Sequence, residues 1–253
     1  MVVTRSATLV LLTSVTAIAQ STLSRSFDVV SIKLDQDRQS RPTISTSGNR
    51  FTAQAKNIVT LLMYAYNVRS YQVVHTPALD ILGDDRFDIV ATASGDGVPT
   101  TEEFRQMLQS VLTERFKLRV HREQREMSVF SLMLGKDGLK FHESPPDAKL
   151  AQNYAASGRN YVVVLSKASM DDLLNAIENS YPDRPVRDRT DLVGRYEIKL
   201  TYTPNIKPNR DTGPQPEDIN IFTAVERIGL ILRPEKAMVE TLLVDHLEWP
   251  SAN

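Results

Sequence analysis

Glu114-Arg115-Phe116-Lys117-Leu118-Arg119-Val120 returns 112 residues later as Glu226-Arg227-Ile228-Gly229-Leu230-Ile231-Leu232, with its apolar positions kept. At the same offset of 112, Ile58-Val59-Thr60-Leu61-Leu62 matches Met170-Asp171-Asp172-Leu173-Leu174. Between these, Arg86-Phe87-Asp88-Ile89 matches Arg195-Tyr196-Glu197-Ile198 at an offset of 109, so one loop is three residues shorter in the second copy. Three matches in one order argue for two diverged copies of a unit of roughly 110 residues.

Each copy reads alike in local structure. An opening strand (50–55; 160–165) meets Asn57 or Ser169, residues that cap helices, and apolar positions at helical spacing follow. Asp171 and Asp172 suit the first turn of the second copy's helix. After a proline-punctuated stretch, Phe87, Ile89 and Ala91, or Tyr196, Ile198 and Leu200, alternate with outward residues as one face of a strand. A second helix (101–114; 219–227) then leads into a hairpin, expected as 116–120 with 127–134 and as 230–232 with 239–247. The expectation is an α+β fold: two tandem diverged copies of a strand-helix-strand-helix-hairpin unit with mostly antiparallel sheets.

Residues 1–19 read as a signal peptide. Arg5 precedes an apolar run, and Ala17-Ile18-Ala19 presents the small-x-small cleavage pattern. That run is shorter than the ~20 residues that span a bilayer, so no stable membrane span is expected after cleavage. The destination is periplasmic or extracellular. Residues 20–142 form the first unit with an added leading strand at 27–33, and 143–157, with Pro145 and Pro146, reads as a linker. Residues 158–253 form the second unit, and the proline-rich stretch 203–218 and the segment 35–49 read as exposed loops.

The whole chain carries 30 basic and 31 acidic residues, and removing Arg5 leaves 29 and 31. This balance gives no reason to expect nucleic acid. With no cysteine, thiol chemistry is excluded and stability rests on packing. No serine has glycine on both flanks, and Ser-x-x-Lys, glycine-rich phosphate loops and His-Glu-x-x-His are absent. His142-Glu143 runs into two prolines, and Asp35 and Asp37 lack the rest of a calcium loop. No metal, cofactor or catalytic residue is assigned.

Phe27-Asp28-Val29-Val30-Ser31-Ile32-Lys33, Arg86-Phe87-Asp88-Ile89, Glu114 to Arg122 and Pro185 to Tyr196 together resemble the acidobacterial duplicated orphan family, exported bacterial proteins known as a domain of unknown function. The resemblance covers nearly the whole mature chain. It brings no activity, cofactor or catalytic residue. Some relatives look fused to a membrane-embedded zinc peptidase, which implies a sensor or interaction module outside the membrane. Where that pattern has glycine this chain has Asp191, which argues against a positive-φ turn there.

Two residue groups stand out. In the expected strand 115–121, alternation puts Arg115, Lys117, Arg119 and His121 on one outward face, with Arg122 and Arg125 beyond it. The second copy offers Arg227, Gly229, Ile231 and Arg233 there, so most of the charge is gone. This basic stripe is the candidate binding surface for an acidic envelope protein or polymer; its plainer reading is a strand that lysine and arginine protect from edge pairing. Asp188, Thr190 and Arg195 form the second group, read as a structural turn whose side chains bond the backbone. The functional expectation is a non-enzymatic binding or interaction module of the bacterial cell envelope. The alternative is an enzyme with a site of ordinary polar residues in a groove between the two copies.

Overall fold

A computed structural model describes residues 25–37, 39–180, 184–204 and 218–251. The expected signal peptide lies outside the described residues, as does most of the expected loop at 203–218. The first half contains β1 (Phe27–Leu34), β2 (Thr43–Ser47), β3 (Arg50–Asn57), α1 (Ile58–Tyr66), β4 (Val73–Val74), α2 (Pro77–Asp80), β5 (Arg86–Ala93), α3 (Thr101–Arg115) and β6 (Arg119–Leu134). The second contains β7 (His142–Glu143), β8 (Ala151–Ser157), β9 (Asn160–Ala168), α4 (Met170–Ser180), β10 (Val186–Asp188), β11 (Tyr196–Tyr202), α5 (Ile221–Arg227) and β12 (Leu230–His246). The result is an α+β protein with mostly antiparallel sheets. Among the described residues, no helix is long and apolar enough to cross a membrane.

One sheet runs β1-β5-β3-β2 and a second runs β7-β11-β9-β8, so corresponding strands occupy corresponding places. Each lies with two helices over an apolar core. Phe51, Leu61, Phe87, Ile89, Phe104 and Phe116 build the first, and Val163, Leu165, Leu173, Tyr196, Ile198 and Val225 the second. Asn57 caps α1 by accepting from the Thr60 N–H at 3.0 Å. Ser169 does the same for α4 in a reciprocal box with Asp172, whose Oδ2 accepts from the Ser169 N–H at 2.8 Å. These are the caps expected from the sequence. The leading strand also lands as expected, pairing with β5.

The third sheet departs from expectation. The strands foreseen as two local hairpins are instead two continuous strands of 16 and 17 residues, β6 and β12. They pair with each other antiparallel across the halves, from Arg119↔His246 to Leu134↔Leu230. Glu126 faces Met238, residues 112 apart, so the register carries each half onto the other. The first expected turn region holds no turn former, since His121 to Glu126 lacks Gly, Pro, Asn and Asp, and the second holds only Pro234. Pro234 is tolerated because it faces Phe130, whose N–H turns away to the Pro185 carbonyl of the other neighbour. That pair exchanges no hydrogen bond, and the missing N–H of proline is not needed. Two short parallel strands complete the sheet: β10 beside β6, and β4 beside β12.

Further differences follow from long-range pairing. Residues 142–157, expected mainly as a linker, supply β7 and β8 to the second half's sheet, and the segment 35–49 includes β2. These are edge strands without a regular apolar alternation, and their single partners supply the order that their own pattern lacks.

Both halves also bend one strand at the same place. Ala55 and Lys167, 112 residues apart, each hold φ of 51°, a left-handed conformation rare for residues with a Cβ. A carboxylate fastens each bulge: Asp88 Oδ1 accepts from the Ala55 N–H at 2.8 Å, and Glu197 Oε1 from the Lys167 N–H at 3.0 Å. Glu197 also accepts from the Ser144 hydroxyl at 2.6 Å. Hydrogen bonds from Ser144 first, then Ser166 and the Lys167 N–H, hold its carboxyl below the usual range. A lowered folded-state pKa means stability present above the unfolded value of about 4.3 and lost as pH falls through the folded value. Glu197→Gln should therefore melt below the wild type at pH 7, with the gap closing below about pH 4. A gap that stays constant down to pH 3 would show that the charge of Glu197 is not what holds the bulge.

Candidate functional site

The residues of the expected basic stripe are gathered at the corner where α3 meets β6. Thr100 and Glu103 start α3 with a reciprocal capping box, and hydrogen bonds from Thr100 hold the Glu103 carboxyl below its ordinary value. The helix runs to Arg115 and closes on Phe116, not in a strand as expected. Lys117, at φ 50°, turns the chain out of the helix, and Leu118 returns its N–H to the Leu112 carbonyl. Only from Arg119 is the chain extended. The sequence suggested a strand because Phe116, Leu118 and Val120 alternate; Phe116 and Leu118 are indeed buried and Val120 partly so, but the first serves as a helix cap.

The four stripe residues therefore differ in circumstance. Arg115 donates to the Ser251 hydroxyl at 2.9 Å and the Ser251 carbonyl at 2.7 Å, which ties the C-terminal tail to the helix end. The His121 ring lies 2.9 Å from Asp245 on the neighbouring strand. Arg122 pairs with Glu240 and Arg125 with Glu123. Lys117 and Arg119 are exposed and have no carboxylate partner among the described residues. Nothing in the sequence linked Asp245, Glu248 and Ser251 to this corner, because strand pairing over more than 120 residues brings them there.

Lys117 and Arg119, with Thr113, Leu118, His246 and Glu248, line an open depression of about 410 Å³. A second, of about 440 Å³, lies along the exposed face of α3 against Tyr66, lined by Gln106, Gln109, Ser110, Thr113 and Glu114. Thr113 borders both, so the two adjoin. Burial pushes the Tyr66 phenol up, and it remains a protonated hydrogen-bonding group. Trp249 is half exposed beyond this corner, with one edge against Phe87 at 6.1 Å between centroids.

Where a groove between the halves was envisaged, side chains bond one another. Arg69 reaches Asn179 at 2.8 Å and Asn175 at 2.9 Å and stands 3.5 Å from Glu178. Glu178 also accepts from the Tyr71 hydroxyl at 3.2 Å and the Val186 N–H at 2.8 Å. Burial, then the neighbouring Glu178, pushes the Tyr71 phenol far up.

The turn after β10 is built by side chains bonding the backbone. Asp188 Oδ1 accepts from the Thr190 N–H at 2.8 Å and the Thr190 hydroxyl at 2.7 Å, and that hydroxyl accepts from the Leu192 N–H at 3.3 Å. Thr190 is buried. Asp191 holds φ 58° even without glycine, because aspartate tolerates the left-handed region better than most residues. Arg195 is more peripheral, 3.7 Å from Asp172 and over half exposed. Asp188→Ala should lower stability by about 1–2 kcal/mol, the cost of leaving a buried threonine N–H and hydroxyl short of an acceptor. A urea denaturation midpoint unchanged from wild type would remove this turn from the structural account.

No curated protein and no solved structure matches the chain. A family model described as protein of unknown function (DUF3738) matches residues 59–247. That match runs from the start of α1 to the end of β12, so it takes in the crossed long strands, both bulge carboxylates, the turn at Asp188 and the α3–β6 corner except for the tail residues Glu248 and Ser251. The chain belongs to the DUF3738 family of proteins of unknown function.

Proposed function

We propose that this protein is an exported, non-enzymatic binding module of the bacterial cell envelope, made of two copies of one unit, and that it docks an acidic partner at the α3–β6 corner. The observation that carries this reading is Lys117. It keeps a left-handed backbone at φ 50°, where a residue with a Cβ costs roughly 1 kcal/mol, while its side chain stands exposed with no acidic partner among the described residues. The matching position in the second half is Gly229, at φ 85°, where a Cβ would collide with the Gly138 carbonyl. Arg119 adds, two residues on, a second cation with no carboxylate partner among the described residues, and the depression between them gives a partner's carboxylates somewhere to enter.

Binding is favoured over catalysis by how the ionisable groups are used. Among the described residues, the carboxyls held below their ordinary range, Glu103 and Glu197, serve a helix cap and a strand bulge. The site proposed for an enzyme, between the halves, is occupied by the Arg69, Tyr71 and Glu178 contacts. Polar groups bordering the corner, such as Gln109 and Thr113, suit recognition of a hydrogen-bonding polymer.

Lys117→Gly tests the role of this side chain without burdening the fold, since it removes the charge and relieves the backbone together. It should keep or raise the melting temperature. Binding to poly-glutamate or to acidic envelope polymer should fall at least about fivefold in Lys117→Gly and again in Arg119→Gln, and wild-type affinity should drop as salt rises. Affinity indifferent to both substitutions and to salt would reject the corner as a docking site.

A further inference from the structure

Ser131 lies on β6 between Phe130 and Leu132, whose side chains enter the second core, so alternation turns it to the opposite face of the central sheet. Register places Arg187 of β10 directly beside it on one flank and Arg233 of β12 on the other. All three share that face. Strands lie about 4.8 Å apart, so the two arginine Cα atoms stand roughly 10 Å from each other, a span that two guanidinium side chains can close over the serine. Ser131 is 2% exposed, and its hydroxyl has no hydrogen-bond partner among the described residues. A buried hydroxyl without a partner is destabilising and calls for a physical reason.

The fold does not supply that reason. In the first half the same three-strand position is filled by Val74, Leu243 and His121, with Leu243 standing where Ser131 does. A hydrophobic residue satisfies this geometry there. The charges around Ser131 are also unbalanced. Arg189 is matched to Glu235 at 3.8 Å, and Arg184 stacks over the Phe130 ring at 4.8 Å. Among the described residues, Arg233 is exposed with no carboxylate partner and Arg187 donates only to the Met238 backbone carbonyl. Two positive charges and one hydroxyl donor are therefore left on one face.

We propose that Ser131, Arg187 and Arg233 form a binding site for a doubly charged oxyanion of the phosphate class. Two guanidinium forks match the oxygen edges of such an anion, and two charges balance its own. The serine hydroxyl donates to a third oxygen, and Arg187 exchanges the Met238 carbonyl for the anion. This site is separate from the Lys117–Arg119 corner, and neither depends on the other.

The test is thermal denaturation of the purified protein in rising inorganic phosphate, with chloride at matched ionic strength as the control. Phosphate should raise the melting temperature saturably where chloride does not. Arg233→Gln changes an exposed residue, so its melting temperature without phosphate should equal that of the wild type while the half-saturating phosphate concentration rises at least about tenfold. Ser131→Ala should show a similar loss of affinity and, without phosphate, no loss of stability. A wild type that responds equally to chloride, or a full phosphate response in either variant, overturns the proposal.

Discussion

The antiparallel pairing of β6 with β12 is the constraint on which the rest of the structure depends. Each long strand begins in its own half and ends in the other's core. Leu242, Val244 and Leu247 at the end of β12 pack with the first half's Phe87, Phe116 and Leu118, while Phe130 and Leu132 of β6 pack with the second half's Tyr196 and Val225. Full burial of such a side chain is worth roughly 1.5–3 kcal/mol. Withdrawing three of them from one core would approach the ~5–15 kcal/mol net stability of an ordinary domain. Neither half is therefore complete without the other's strand, and the lateral pairs β10–β6 and β4–β12 repeat the exchange at the edges.

This arrangement explains where polar chemistry is found. At its two ends the central sheet spends its even-numbered positions on the cores, which leaves Ser131 and its arginine neighbours on the outer face at one end and Leu243 with His121 at the other. The pairing also draws the C-terminal tail across the end of α3, where Glu248 N–H meets the Phe116 carbonyl and Ser251 N–H meets the Arg115 carbonyl. The α3–β6 corner is thus assembled from residues far apart in sequence, on a rigid helix end.

What was legible in the sequence is what local physics controls. Asn57 and Ser169 as caps, the alternation of Phe87 and Ile89 or Tyr196 and Ile198, the leading strand and the bonding of Thr190 by Asp188 all depend on neighbours a few residues away. The hairpins were misread because alternation on either side of a charged stretch is the same whether the chain turns or continues, and the absence of a turn former between His121 and Glu126 carried the decision. β8 escaped because Ala151 to Ser157 has no apolar pattern and owes its order to β9. At the candidate site, the basic residues could be read from spacing. Which of them Asp245 and Glu240 would pair with, and which Ser251 would hold, could not, since those partners arrive by strand pairing and the tail that follows it.

The crossed pairing can be measured directly, because the chain has no cysteine and two can be introduced without background. Glu126 and Met238 are exposed and face each other in the register. Counted from Phe130 and Pro234, they form a pair without mutual hydrogen bonds, where Cα atoms stand about 4.5 Å apart and a disulfide closes without distortion. The account predicts that the protein carrying Glu126→Cys and Met238→Cys oxidises to an intramolecular disulfide in high yield and melts at a higher temperature than its reduced form. If the two thiols stay free under oxidation, or link only between molecules, β6 and β12 are not paired in this register and the central claim fails.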